Sequence, residues 1–279
     1  MRLVFTIIAF FILAQLLGMF TGMVIINDMP QNPYVSSLVV TGDSNNLFNA
    51  VFFIIYVLFG AVMMVLLIRI FKLQMRLFKL MEFMLISVSS SIVFYSFFRF
   101  VFGYDASMML GIALGLIFAA TKLLLPMLKN AAAVFATAGV GVVFGVSLGL
   151  YPTVLFLILL SIYDYLSVFM TKHMVELANF VVQKDLAFTV TAKGPPVRLG
   201  EPEKRIDLGT GDMIAPIMLE VSAMAYNPAA VPFVFVGAII SMSTFLLLVS
   251  KRKVVLPALP PVVAGMLVAL LIGFLIGAY

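Results

Sequence analysis

The chain has no cysteine, one histidine (His173) and only 10% charged residues in a length of 279. Without cysteine there is no disulfide, no thiolate nucleophile and no thiolate metal site. A zinc protease helix of the H-E-x-x-H kind needs two histidines and is excluded. A serine hydrolase would have to recruit His173, which stands beside Lys172 just past an apolar run. That is poor placement for a base, and an interfacial histidine is the better reading. The string 145–149 matches G-x-S-x-G but lies inside an apolar run with no strand before it. Gly141, Gly145 and Gly149, and likewise Gly111 and Gly115, read instead as close helix packing. No metal and no cofactor is expected.

What the chain has is apolar residues, 64% of it, with a mean hydropathy of +1.21. They come in blocks long enough to span a hydrocarbon core of about 30 Å. Nine such blocks stand at 4–25, 47–68, 80–102, 106–126, 129–149, 152–171, 208–226, 229–250 and 255–278. Barrel strands would be shorter and strictly alternating. The pattern predicts an all-α membrane protein with nine transmembrane helices. The first block is too long for a signal-peptide core and is read as helix one. One polytopic membrane domain fills 1–279: helices one to six at 4–171, a cytosolic loop at 172–207, and helices seven to nine at 208–278.

Charge fixes the expected orientation. With the N-terminus inside, every lysine and arginine falls on an inside segment except Arg99. The N-terminus is therefore expected to be cytoplasmic and the C-terminus outside, in the cell membrane. The same bias explains the net charge of +5. Nucleic-acid binding is an unnecessary reading of it.

Two aspartates break the apolar blocks: Asp164 in helix six and Asp212 in helix seven. A carboxylate at membrane depth is costly and usually faces the bundle interior. Asp164 lies eight residues before Lys172, so ~12 Å from the inner boundary at the helical rise. Asp212 lies seven residues after Arg205, so ~10 Å in by the same rise. Antiparallel neighbours joined by one loop can bring the two face to face. A structural polar pair or an ion relay would satisfy the same depths. Gly209 and Gly211 flank Thr210 before Asp212 and allow close backbone approach. Tyr163 offers a phenol beside Asp164. Pro257, Pro260 and Pro261 interrupt helix nine at about the same level. Irregular backbone there is tolerated only if buried or lining a wet cavity.

Tyr163-Asp164, Gly209-Thr210-Gly211-Asp212 and Pro257-Ala258-Leu259, in that order on a nine-helix chain, resemble the YD, GxGD and PAL motifs of the presenilin/signal peptide peptidase family. These are intramembrane aspartyl proteases. A short, cysteine-free chain without a long acidic loop looks most like the archaeal homologues. Thr210 departs from the family pattern, where many relatives carry an apolar residue. The resemblance implies a presenilin-like fold and a catalytic dyad of Asp164 and Asp212. One is ionised and one protonated, because like charges at close range cannot both ionise. Pro257, Ala258 and Leu259 would shape the wall and hold substrate.

The implied substrates are transmembrane peptides or proteins held in the lipid bilayer. The charge pattern matches the presenilin orientation, which implies substrates with an outside N-terminus. Partner subunits are not required, and self-association is left open. In the loop, 188–193 alternates in the strand period and 194–196 reads as a turn, with the segment 197–199 after it. We read a hairpin able to take unwound substrate as an extra strand; proline at Val190 would test it. A disordered loop is the equal alternative. Asp185, Glu201, Glu203 and Asp207 read as solvated, Glu82 as an interface residue, and Glu220 as a neutral carboxyl bonded to another helix, with the lining of a water path as the alternative. The competing function is a cation channel or proton-coupled transporter using the aspartates as a relay. A prepilin-type peptidase has fewer helices and no PAL segment.

Overall fold

The computed structural model describes residues 2–69, 75–171, 186–194, 205–249 and 257–279. Helices stand at all nine positions read from the apolar blocks. They are α1 (Arg2–Asp28), α2 (Phe48–Arg69), α3 (Met75–Phe98), α4 (Tyr104–Leu124), α5 (Lys129–Ser147), α6 (Leu150–Leu166), α7 (Thr210–Tyr226), α8 (Val231–Val249) and α9 (Leu259–Leu275). A single turn, Pro126–Leu128, separates α4 from α5. A proline at its first position suits the break, since its missing N–H is not needed there. Among the described residues, six helices, with their flanking turns, are long and apolar enough to cross a membrane: α1, α3, α4, α5, α6 and α8. The apolar part of α2 and all of α9 are shorter. α7 has 17 residues, about 25 Å at the helical rise.

α7 sits at the centre, packed against α1, α5, α6, α8 and α9. Glycines on two neighbours let it approach. A Cβ on Gly22 of α1 would lie 2.6 Å from Val221, and one on Gly141 of α5 would lie 2.6 Å from Ile217. Gly145 is filled the same way by Val221. Gly111 and Gly115 of α4 do this for the α3 backbone. Gly149 does not join the stripe: its hollow is filled by Asn45 from the segment before α2. Ser147 bonds the Val143 carbonyl and accepts from the Val40 N–H, so it is structural. Where α1 ends, Asp28 accepts from Tyr95 Oη at 2.6 Å and Arg99 Nε at 2.8 Å. The guanidinium also stacks on Tyr104.

The strand period at 188–193 is realised as β1 (Thr189–Lys193). Its partner is β2 (Arg205–Gly209), paired antiparallel from Thr189–Gly209 to Lys193–Arg205. The segment 197–199, expected to follow the turn, lies outside the described residues. β2 therefore takes the first two residues expected of helix seven. Ile206 and Leu208 alternate with Arg205 and Asp207, a half-buried strand pattern. One face of the hairpin, with Val190, Ala192 and Leu208, is buried in the core and packs on α1.

Candidate active site

α6, α7 and α9 are in mutual contact, and each brings one predicted motif to the same place. Asp164 lies near the end of α6 and is 7% exposed. A π turn, Ser167–Thr171, follows it directly. Such turns are rare and concentrate at functional sites. Ser167 donates to the Asp164 carbonyl at 2.9 Å.

Asp212 is half-buried in the first turn of α7. Gly209 caps that helix, and its backbone N–H is turned toward the Asp212 carboxyl. This is the reciprocal half of a capping box, with the acid at the third helical position reaching back to the cap. The same interaction fixes the carboxyl near α7's positive end. Asp164 and Asp212 are close enough for their charges to interact.

The third motif does more than form a wall. The Leu259 N–H points at Asp164 Oδ2, 3.4 Å away. Leu259 is the first residue of α9, and Pro260 and Pro261 follow it. The first N–H groups of a helix have no partner within it. Two prolines in succession leave Leu259 as the lone donor among the first three, and it faces the carboxylate. Pro257, Ala258 and Leu259 are all buried.

Of the other predicted residues, Tyr163 is half-buried within electrostatic reach of Asp164. Thr210 is the first residue of α7. Its backbone N–H and its hydroxyl both bond the Phe188 carbonyl, at 3.0 and 3.1 Å. It ties the hairpin to the start of α7. A Cβ on Gly209 would lie 3.3 Å from Asp212 Oδ2, whereas one on Gly211 would meet nothing within 4 Å. A side chain at Gly209 would press on the carboxyl, whereas Gly211 opens onto space. His173, Asp185, Glu201 and Glu203 lie outside the described residues.

Three polar residues differ from their sequence reading. Glu82 is 1% exposed, paired with Lys122, and accepts from the Ala187 N–H. Asp207 is half-buried, pairs with Arg205 and accepts from Thr191 Oγ1 at 2.6 Å. Glu220 is fully buried as expected, but neither carboxyl oxygen has a hydrogen-bond partner among the described residues. Sequence reasoning missed Asn130, which binds both backbone groups of Thr191. Its position at the start of a helix gave no hint of a partner 61 residues away.

Two solved structures of a presenilin family intramembrane aspartate protease, in different crystal forms, have the same fold. The first is 20% identical, with 98% of this chain and 99% of that one covered at a TM-score of 0.69. The second is 22% identical, with 96% and 97% covered at a TM-score of 0.67. No curated protein sequence matches. Residues 8–278 match the family described as signal-peptide peptidase, presenilin aspartyl protease. That match takes in all three motifs and the helices that carry them, and the chain belongs to this family of multi-pass membrane proteases.

Proposed function

We propose that the chain cuts peptide bonds within transmembrane segments, with Asp164 and Asp212 as the catalytic pair. The observation that carries this is their convergence from α6 and α7, each carboxyl facing a backbone N–H at a helix start. The pair shares one proton. The ionised member takes a proton from a water, and the neutral member hydrogen-bonds the scissile carbonyl. Water adds to the carbonyl carbon to give a diol. The roles then reverse as the amine leaves with a proton. The pair titrates as a unit, so neither residue is the base at every step. No metal or cofactor takes part.

The reading includes a nine-span topology with a cytoplasmic N-terminus, in the cell membrane, and substrates whose N-terminus lies outside. Partner subunits are not needed. A helical substrate must unwind before it is cut, because its carbonyls are held by their own hydrogen bonds. The unwound stretch adds as a strand to the hairpin, whose second strand runs directly into Asp212.

Purified protein in detergent should cleave a single-span peptide. Asp164→Ala and Asp212→Ala should each abolish cleavage, and a transition-state inhibitor of aspartyl proteases should block the unmodified chain. Cleavage surviving both substitutions would refute the dyad. A folded protein inactive on several substrates would point to ion flux instead.

A further inference from the structure

The outer edge of β1 is already bonded at its middle residue, Thr191. Thr191 donates its backbone N–H to Asn130 Oδ1 at 2.9 Å, and its C=O accepts from Asn130 Nδ2 at 2.8 Å. Both groups therefore point away from β2. In an antiparallel pair the backbone groups of successive residues alternate between the partner and the free edge. Phe188, Val190 and Ala192 thus face β2, which the Thr210 N–H bond to the Phe188 carbonyl requires independently. Thr189, Thr191 and Lys193 turn to the outward edge, and Ala187 lies in the turn just before the strand. The Ala187 N–H is held by Glu82, whose charge is balanced by Lys122.

A side-chain amide that accepts from a strand's N–H and donates to its C=O reproduces the two bonds a neighbouring strand would make. Exposed edges invite unwanted pairing, and proteins block them. On β2 the same alternation turns the N–H and C=O of Asp207 outward. Neither forms a hydrogen bond among the described residues.

We propose that Asn130 and Glu82 are positioning residues that cap the β1 edge, so that a substrate strand adds only to β2. This rests on the strand-addition reading above. A single usable edge fixes which peptide bond reaches the dyad. A strand on β1 would lie one further strand away from the start of α7.

The absence of cysteine permits a direct test. Lys193 and Arg205 are exposed register partners on the two strands. A strand added to β2 would pass about 5 Å from Arg205 and about 10 Å from Lys193. A disulfide needs Cα atoms within about 7 Å. With a single-cysteine peptide substrate under oxidation, Arg205→Cys should cross-link and Lys193→Cys should not. Adding Asn130→Ala should make the Lys193→Cys cross-link appear and yield a second set of cleavage products by mass spectrometry. Asn130→Asp keeps the acceptor, loses the donor and nearly preserves the shape, so it should give the same shift if alanine unfolds the hairpin. A purely structural role would lower rate and melting temperature without moving the cleaved bond. Folded Asn130 variants with unchanged products and no Lys193→Cys cross-link would overturn the proposal. So would a Lys193→Cys cross-link in the presence of Asn130. If neither cysteine cross-links while the peptide is still cut, strand addition itself fails.

Discussion

Proline at Asp207 tests the strand edge with one atom. The Asp207 N–H faces away from β1, so proline removes an outward donor and leaves the β1–β2 ladder intact. Ile206 before it is extended, the conformation that a residue preceding proline prefers. The substitution also deletes a carboxylate bonded to Thr191 and Arg205. Asp207→Ala deletes the same carboxylate and keeps the N–H, so the ratio of the two variants isolates the donor. A substrate carbonyl left without its partner costs about 1–3 kcal/mol. That corresponds to roughly 5- to 150-fold in kcat/KM. The assay is peptide cleavage by purified protein, with inhibitor binding as the check on folding. A proline-to-alanine ratio within twofold, for folded variants, would refute the edge. Proline at Val190 is a poorer choice than the sequence suggested. Val190 faces β2, and its loss would break the hairpin itself.

Gly209→Ala should displace the Asp212 carboxyl by a few tenths of an ångström and lower kcat about tenfold. Gly211→Ala should leave the melting temperature unchanged, so any loss of cleavage there reports substrate contact. A Cβ on Gly139 would run into the Ser89 carbonyl oxygen, with the carbonyl carbon and Cα 2.7 Å away. Gly139→Ala should therefore destabilise the α3–α5 contact by about 1–3 kcal/mol, read as a lower melting temperature in detergent. Glu220→Leu should raise stability by about 1–3 kcal/mol while cleavage persists, because it removes a buried carboxyl with no hydrogen-bond partner among the described residues. A lower melting temperature would show that Glu220 has a partner in solution.

The helices were legible because a bilayer demands apolar runs of fixed length, and the structure places a helix in each. The three motifs were legible because charge and proline at membrane depth are rare. β2 was hidden by its neighbour: Leu208 and Gly209 extend the apolar run of α7, and the alternation at 205–208 is too short to break it. The Leu259 donor could have been read from its two following prolines. Asn130 and Glu82 could not, since their partners lie 61 and 105 residues away and the pairing exists only after the bundle has formed. Glu220 was read as needing a partner on general grounds. Its burial was right, and among the described residues neither oxygen has a hydrogen-bond partner.

The two aspartates differ in how firmly they are held. α7 is wedged between α1 and α5 by Ile217 and Val221, seated in hollows that glycines leave on both sides. Shifting it would open two close-packed faces at once. Asp164 instead rides near the end of a helix that closes in a π turn immediately beyond it. The proposed pair thus has one half set in the frame and one half mounted at a helix end. Adjusting the gap between them for a bulky chain falls to the α6 side, with Asp212 as the fixed point of reference.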